Sequence, residues 1–487
     1  MLPVGFAVAW PLSLLYMAAK SLSPLGLHLN DRTGTNGYVT FQENIFANSP
    51  FQLESRSPRI HIIGILRLSS NLLLSQVKDP TLGPSGRVKI EWARDNMPVL
   101  ARIAKRFAAS KVFKGHKVGM CLHLEAKTAV LAEVFLKAGA EVAITGSNPL
   151  STQDDVAAAL SETGVHVYAW RGVSEQEHAS NLDRVLSMKP DILIDDGAEL
   201  SIAAHLKGFN QIQRIIGACE ETTTGVSRLR AMEGEGRLKF PVIAVNDAYT
   251  KFLFDSRYGT GQSGLEGIMR ATNLLLAGRT VVVAGFGWVG RGIALRAKGM
   301  GSRVIVTEVD PVRALEALME GFDVMPMSEG AKQGDLFITA TGNTHIITSS
   351  HMSEMKDKAI LANVGHYDVE VSVKDLERIA VKKRKVRPEV TEYKLKSGRR
   401  LYLLSDGRLV NLAAADGHPA EVMDMSFAGQ SLSGEYLLQH GRSLKPQVLR
   451  VPEELDLQIA RWRLEAFGKK IDTLTSPQRR YSKSWRL

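Results

Sequence analysis

The stretch Thr280–Pro311, TVVVAGFGWVGRGIALRAKGMGSRVIVTEVDP, decides the fold. Thr280–Ala284 reads as a buried strand, and Gly285, Gly287 and Gly290 follow it in G-x-G-x-x-G spacing, opening a helical segment through IALRAKGMG. The first glycine permits the tight turn, the second lets a pyrophosphate approach the backbone, and the third lets the helix pack close on the strand. Phosphate then sits on the helix N-terminus, where free N–H groups and the dipole favour negative charge. A second strand, RVIVTE, ends in Glu308 about twenty residues on, where a carboxylate accepts hydrogen bonds from the adenosine ribose and repels a 2′-phosphate. A glycine-rich turn that merely packs would not need this acid. The spacing predicts a Rossmann domain that prefers NAD, with Arg313 nearby leaving NADP slightly open.

Working outward, short apolar runs alternating with helical segments continue at LFITATG and AILANVG downstream and at KVGMCLHL, AEVAITG, HVYAW and DILIDDG upstream. That alternation predicts parallel sheets with crossover helices. The expected fold class is α/β: two doubly wound parallel-sheet lobes, with an NAD-binding Rossmann domain inserted in a substrate-binding domain. Residues 86–246 are expected to form the first part of the substrate-binding domain, 247–261 a hinge and 262–416 the Rossmann domain. Residues 417–470 would carry a second hinge and the return to the substrate domain, and 471–487 a short C-terminal tail. Residues 1–85, rich in Ser, Asn, Gly and Pro and without periodicity, read as a poorly ordered extension. Within it, residues 2–19 are uncharged but interrupted by Pro3 and Pro11 and lack a basic flank, so no membrane association is expected.

Composition excludes some classes. Length 487 allows about three domains, and 44% hydrophobic with 23% charged residues is ordinary for a globular chain. The net charge of +10 is too diluted to argue for nucleic acid, and the run Lys382–Lys385, followed by the hairpin-like TEYKLKSGRRLYLL, reads as a solvated surface. Cys121 and Cys219 form neither a disulfide framework nor a metal spacing, which favours a reducing, cytoplasmic setting and no metal.

Several polar residues end predicted strands, where ligands of open α/β sheets bind. His123 follows VGMCL, Asp195 and Asp196 end ILIDDG, Glu220 and Glu221 precede Thr222–Thr224, and His366 ends LANVGH. Each alone has a plain structural reading: His123 as a satisfied buried histidine, Asp195 as a turn cap, the threonines as loop polarity. Lys251 and Asp255, four apart beside the hinge, read either as a surface ion pair or as a proton-transfer pair. A lysine that accepts a proton needs a lowered pKa.

The motifs HLEAKTAVL, NPLSTQDDVAAAL, ILIDDGAEL, EETTTGVSRL, NDAYTKFLFDSRYGTGQS, VVVAGFGWVGRGIALRAKGMGSRVIVTEVDP, ANVGHYDVE and GRLVNLAAADGHP together resemble the S-adenosylhomocysteine hydrolase family, over roughly residues 90–485. The resemblance implies a homotetramer that hydrolyses S-adenosyl-L-homocysteine reversibly to adenosine and L-homocysteine. NAD-mediated oxidation of the ribose 3′-hydroxyl is followed by elimination, hydration and re-reduction. It implies that Lys251 and Asp255 manage the 3′-hydroxyl proton, Glu221 holds the ribose, His123 and Asp196 serve elimination and hydration, and His366 and His418 line the closing lobes. Thr222, Thr223, Thr224, Asn343 and Asn411 would contact NAD with Glu308. Ser256 and Thr260 replace the family's usual Asn and Cys, and the chain ends at SWRL without the Lys/Tyr-bearing tail of many members. Where many members place a carboxylate for the adenine 6-amino group, this chain has Lys127. Either Lys127 turns to solvent and Glu125 makes the contact, or the pocket takes the 6-oxo purine of S-inosylhomocysteine. A further alternative is a non-catalytic regulatory member of the family.

Overall fold

The computed structural model describes residues 75–206 and 212–485. Its first sheet is built from β1 (Lys117–Leu122), β2 (Glu141–Gly146), β3 (His166–Tyr168), β4 (Ile192–Asp195), β5 (Gly217–Glu220) and β6 (Val242–Ala244). The second contains β7 (Thr280–Ala284), β8 (Arg303–Thr307), β9 (Asp323–Val324), β10 (Leu336–Thr339), β11 (Ala359–Asn363), β12 (Ala380–Arg387), β13 (Val390–Leu395) and β14 (Arg400–Leu404). The chain then returns to the first sheet, where β15 (Val448–Arg450) pairs in parallel with β6.

The first sheet runs β15-β6-β5-β4-β1-β2-β3, every neighbour parallel. Strands buried on both faces explain its near-continuous apolar runs. In β1, Val118, Met120 and Leu122 join one core while Cys121 joins the core on the opposite face. The helix Ala420–His440 closes over this lobe, placing Phe427, Leu432 and Leu437 in the same core as β1.

The second sheet runs β12-β13-β14-β11-β10-β7-β8-β9. From β9 through β11 to β14, which pairs in parallel with β11, it follows the Rossmann order, and β13 and β12 extend it as antiparallel neighbours. The sheet is therefore mixed rather than parallel throughout. The surface hairpin expected at TEYKLKSGRRLYLL is instead β13–β14, with Tyr393, Leu395, Leu401 and Leu403 buried in a core. The basic run lies on the edge strand β12, whose Lys383 pairs with Glu377 at 2.8 Å and Arg384 with Glu392 at 2.7 Å. Charged residues on an edge strand discourage pairing with another chain.

Between the sheets, Phe252–Thr260 forms a π-helical stretch, a widened turn common at functional sites. It packs on the helix Trp288–Gly299.

The uncharged residues 2–19 and most of the expected N-terminal extension lie outside the described residues. Residues 75–85, expected to belong to that extension, are structured. The Gln76 amide donates to Val167 O at 2.7 Å, and the Ala169 amide donates to Gln76 O at 3.1 Å. The helix Gly83–Asp95 begins before position 86, with Pro84 in its first turn, and the missing Cβ at Gly86 lets it press against Asp155 O. A chain beginning at Gly86 would lose this edge pairing and a helical turn. At about 1 kcal/mol per hydrogen bond and about 2–4 °C per kcal/mol, it should melt several degrees below a chain beginning at Ser75 in a thermal scan. Equal melting temperatures would show that residues 75–85 add nothing.

Candidate active site

Both sheets reverse strand order at a switch point, between β4 and β1 in the first and between β7 and β10 in the second. The carboxyl ends of these strands bring the polar strand-end residues together.

His123 and Asp196 follow β1 and β4, with His123 Nε2 3.3 Å from Asp196 Oδ2. On its other side, His123 Nδ1 lies 2.8 Å from Ser151 Oγ and 3.2 Å from Ser147 Oγ. Burial pushes the imidazole down to about 4 against the pull of Asp196, so at neutral pH it is an uncharged base. His366, from the second lobe, faces the other oxygen of Asp196 at 3.7 Å. The ligating atoms of these three residues lie within 4.8 Å of one another, close enough to share a proton or a metal ion.

Asp195 and Glu220, the first members of the two acidic pairs, turn away to structural work. Asp195 accepts the amides of Ser201 at 2.7 Å and Leu200 at 3.2 Å. Glu220 accepts those of Gly197 at 2.8 Å and Ala198 at 2.9 Å. The second members, Asp196 and Glu221, face the cavity.

Glu221 is held by Gln430 Nε2 at 2.5 Å and by a short bond from the Ser426 hydroxyl. Burial lifts it to about 7, opposed by Lys251 at 4.0 Å. The signal for these partners was present in the sequence: Ser426 and Gln430 lie four apart, one helical turn, on a helix whose polar Asp424, Ser431 and Ser433 are also buried.

Lys251 Nζ lies 2.8 Å from Asp255 Oδ1, and Asp255 Oδ2 lies 2.7 Å from His418 Nδ1. His418 Nε2 ends the chain at Thr260 Oγ1, 2.9 Å away. Lys251 and Asp255 are thus a buried pair and not a surface one. Burial disfavours the Lys251 ammonium, but the Asp255 and Glu221 carboxylates outweigh it and hold its pKa above the ordinary lysine value. The lowered pKa expected of a proton-accepting lysine is not found, because the neighbouring charge is negative. Asp255 sits well below the carboxylate range: His418 and Lys251 overcome its desolvation.

Thr128, Lys251, Asp255, Ser256, His366, Asn411 and His418 line a cavity of about 140 Å³ with His123, Asp196 and Glu221. It adjoins a cleft of about 1180 Å³ lined by Thr222, Thr223, Thr224, Gly285, Gly287, Glu308, Arg313 and Asn343. Sequence reasoning missed Arg230, Asn246 and Arg450 in this cleft.

The cleft fits a dinucleotide. Gly285 has φ +93°, and a Cβ there would press on Ala340 O at 2.8 Å. At Gly287 the nearest atom to a Cβ is the Arg313 guanidinium at 3.8 Å, leaving room for a phosphate against the helix N-terminus. Gly290 does not line the cleft; it packs the helix against Gly285 O. Glu308 is fixed by amides of Phe286 at 2.6 Å and Val309 at 2.7 Å, with its carboxylate at the cleft wall. Asn411, which lines the adjoining cavity, has its Oδ1 buried without a hydrogen-bond partner, as an acceptor reserved for a bound donor would be.

Lys127 does not turn to solvent. It is 7% exposed, and its Nζ donates to Asp416 O at 2.7 Å and pairs with Glu125 Oε2 at 2.5 Å. Glu125, which caps the helix Ala126–Lys137 by accepting two amides, lines the small cavity.

A Rossmann cleft opening onto a buried acid/base cluster in a second lobe defines an enzyme that couples dinucleotide chemistry to proton transfer. The chain belongs to the S-adenosyl-L-homocysteine hydrolase family. The family model matches residues 75–211, and the model of its NAD-binding domain matches residues 256–417. Relatives include an S-inosyl-L-homocysteine hydrolase of Methanopyrus kandleri, 58% identical over 84% of this chain and 97% of that one. Adenosylhomocysteinases of Saccharolobus solfataricus and Aquifex aeolicus are each 56% identical over 84% of this chain and 99% of theirs. The chain is accordingly an NAD-binding hydrolase, and hydrolysis of S-adenosyl-L-homocysteine is the activity for which its family is named. No helix among the described residues is long and apolar enough to cross a membrane.

Proposed function

We propose that this chain hydrolyses S-adenosyl-L-homocysteine to adenosine and L-homocysteine, with the ribose seated in the cavity between His123 and Lys251. The observation that carries the reading is the pairing of two separate proton-handling sets, His123–Asp196–His366 and Glu221–Lys251–Asp255–His418, around one cavity beside the dinucleotide cleft.

When bound, NAD supplies reversible hydride acceptance at the ribose 3′ carbon. Gly287, the helix N-terminus at Trp288, Glu308, Thr222–Thr224 and Asn343 would hold it, with Asn411 Oδ1 accepting from its nicotinamide end. Lys251, as an ammonium, donates to the 3′ oxygen and stabilises negative charge there, while Glu221, titrating near neutrality, exchanges the 3′ proton. His123, uncharged at neutral pH, takes the proton from the 4′ carbon as homocysteine leaves, and with Asp196 directs the incoming water. The enzyme is proposed to work as a cytoplasmic homotetramer.

Two purines compete for the site. The Glu125–Lys127 pair supports the 6-amino purine: Glu125 faces the cavity as an acceptor, whereas Lys127 is engaged behind it. A second reading, S-inosylhomocysteine as substrate, draws on Lys127 standing where a carboxylate would be expected. Homocysteine release should be at least tenfold faster, by kcat/KM, from the adenosyl than from the inosyl compound. Glu125→Gln, whose amide can also donate to a 6-oxo group, should move that ratio towards inosyl by about tenfold. A wild-type preference for the inosyl compound would overturn the adenosyl assignment, and release from neither would overturn the activity.

A further inference from the structure

Beside the cluster, Tyr367 crosses from the second lobe to the first. It follows His366 beyond the end of β11, and its hydroxyl lies 2.7 Å from Glu199 Oε1. Arg228 Nη1 lies 2.5 Å from the same hydroxyl, 2.8 Å from Glu199 Oε1 and 2.6 Å from Gly197 O. The phenol donates to Glu199 and accepts from Arg228, so each group has a partner in a closed ring. The ring is half-buried, and His178 stands 3.8 Å from the second oxygen of Glu199. Against its burial, these partners hold Glu199 down at about 2, as a carboxylate.

Both ends of this ring adjoin the acid/base pair in sequence: Tyr367 is next to His366, and Gly197 is next to Asp196. Gly197 has φ +87°, and a Cβ there would meet His366 Nε2 at 2.5 Å, so the lobes touch where His366 approaches Asp196. The ring and the approach of His366 to Asp196 therefore belong to one contact between the lobes.

We propose that Tyr367, Glu199 and Arg228 form a latch between the lobes, which positions His366 against Asp196 and limits how fast the lobes part to release product. Tyr367 is a positioning residue: its hydroxyl bonds only to the opposite lobe, and the cavity is lined without it. The proposal rests on the adenosine-producing reading above for its product, but its geometry does not.

The test uses the NAD-loaded full chain and Tyr367→Phe, which keeps the ring and its edge contact with His366 and removes only the hydroxyl. A hydrogen bond to a charged group of this kind corresponds to roughly tenfold or more in an equilibrium or rate. Tyr367→Phe should speed adenosine dissociation in stopped flow about tenfold and raise KM more than it lowers kcat. Glu199→Gln should act similarly, and the double variant should be no faster than the quicker single one, since both break the same bond. In parallel, amide exchange should quicken at least fivefold in peptides spanning residues 196–200 and 363–368. Dissociation and exchange within twofold of wild type, or additive effects in the double variant, would overturn the latch. Should wild type fail to bind adenosine, the functional reading fails instead, and the exchange measurement still decides the latch.

Discussion

Asp255→Asn is expected to slow homocysteine release from S-adenosyl-L-homocysteine by two to four orders of magnitude, the range over which a positioned acid or base contributes. Asp255 is 3% exposed and uses both oxygens, one toward the Lys251 ammonium at 2.8 Å and one toward His418 at 2.7 Å. An amide has one oxygen, so it can serve either the lysine or the histidine, and it turns an N–H group toward the other. If the oxygen keeps Lys251, His418 loses its anchor; if it keeps His418, the ammonium faces a donor.

The same substitution changes Lys251 itself. Burial disfavours the ammonium, and Asp255 is the largest of the influences that outweigh it. With that carboxylate gone, the lysine pKa should fall, and the alkaline limb of the pH–rate profile, where the ammonium is lost, should move to lower pH. Removing one partner of a buried pair also destabilises the fold, by about 3–5 kcal/mol where the remaining charge is uncompensated. Rates should therefore be compared at a temperature where far-ultraviolet dichroism shows the variant folded. A folded Asp255→Asn enzyme that keeps more than a tenth of wild-type kcat would remove Asp255 from the proton-handling set.

The parts of this molecule that are legible in the sequence are those written in local pattern. The glycine spacing after β7 and the acid after β8 lie in one continuous stretch and describe the cleft without reference to anything distant. The strand-end positions of His123, Asp196, Glu221 and His366 follow from the same kind of pattern, because an α/β sheet collects the ends of its strands. What the pattern cannot carry is the sign of an interaction between remote segments. Lys251 is raised rather than lowered because Asp255 and, from thirty positions earlier in the chain, Glu221 both turn negative charge toward it. Lys127 is held inward by a backbone carbonyl at Asp416, and Glu221 by Ser426 and Gln430 from the returning helix. The structured residues 75–85 escaped for a related reason: a single backbone pairing at Gln76 has no periodicity to reveal it. In β13–β14 the neighbouring basic run gives the hairpin the look of a surface, although alternate residues carry the apolar face that is buried.

The second large effect concerns the joint between the returning helix and the start of the first lobe. Asp424 is fully buried, and its carboxylate accepts the amides of Leu100 at 2.7 Å and Val99 at 3.1 Å, with Arg463 at 3.0 Å. The two amides belong to the first turn of the helix Pro98–Ser110, whose N–H groups have no partner within their own helix. A residue more than three hundred positions away thus caps this helix and neutralises a buried guanidinium. Asp424→Ala would strand all three donors and leave Arg463 buried without its counter-ion. That should destabilise the protein by about 3–5 kcal/mol, or roughly 10 °C in melting temperature at about 2–4 °C per kcal/mol. The pH dependence has a definite sign. Burial lifts Asp424 to about 6 despite Leu100, Val99 and Arg463, above the roughly 3.9 of an unfolded aspartate. The folded state therefore binds this proton more tightly, so the residue's contribution is fully present below about pH 4 and declines as pH rises through about 6. The melting-temperature gap between wild type and Asp424→Ala should accordingly widen from pH 7 to pH 5. A gap below 2 °C at neutral pH would show that solvent or another side chain replaces the carboxylate, and a gap that narrows on acidification would reverse the assigned shift.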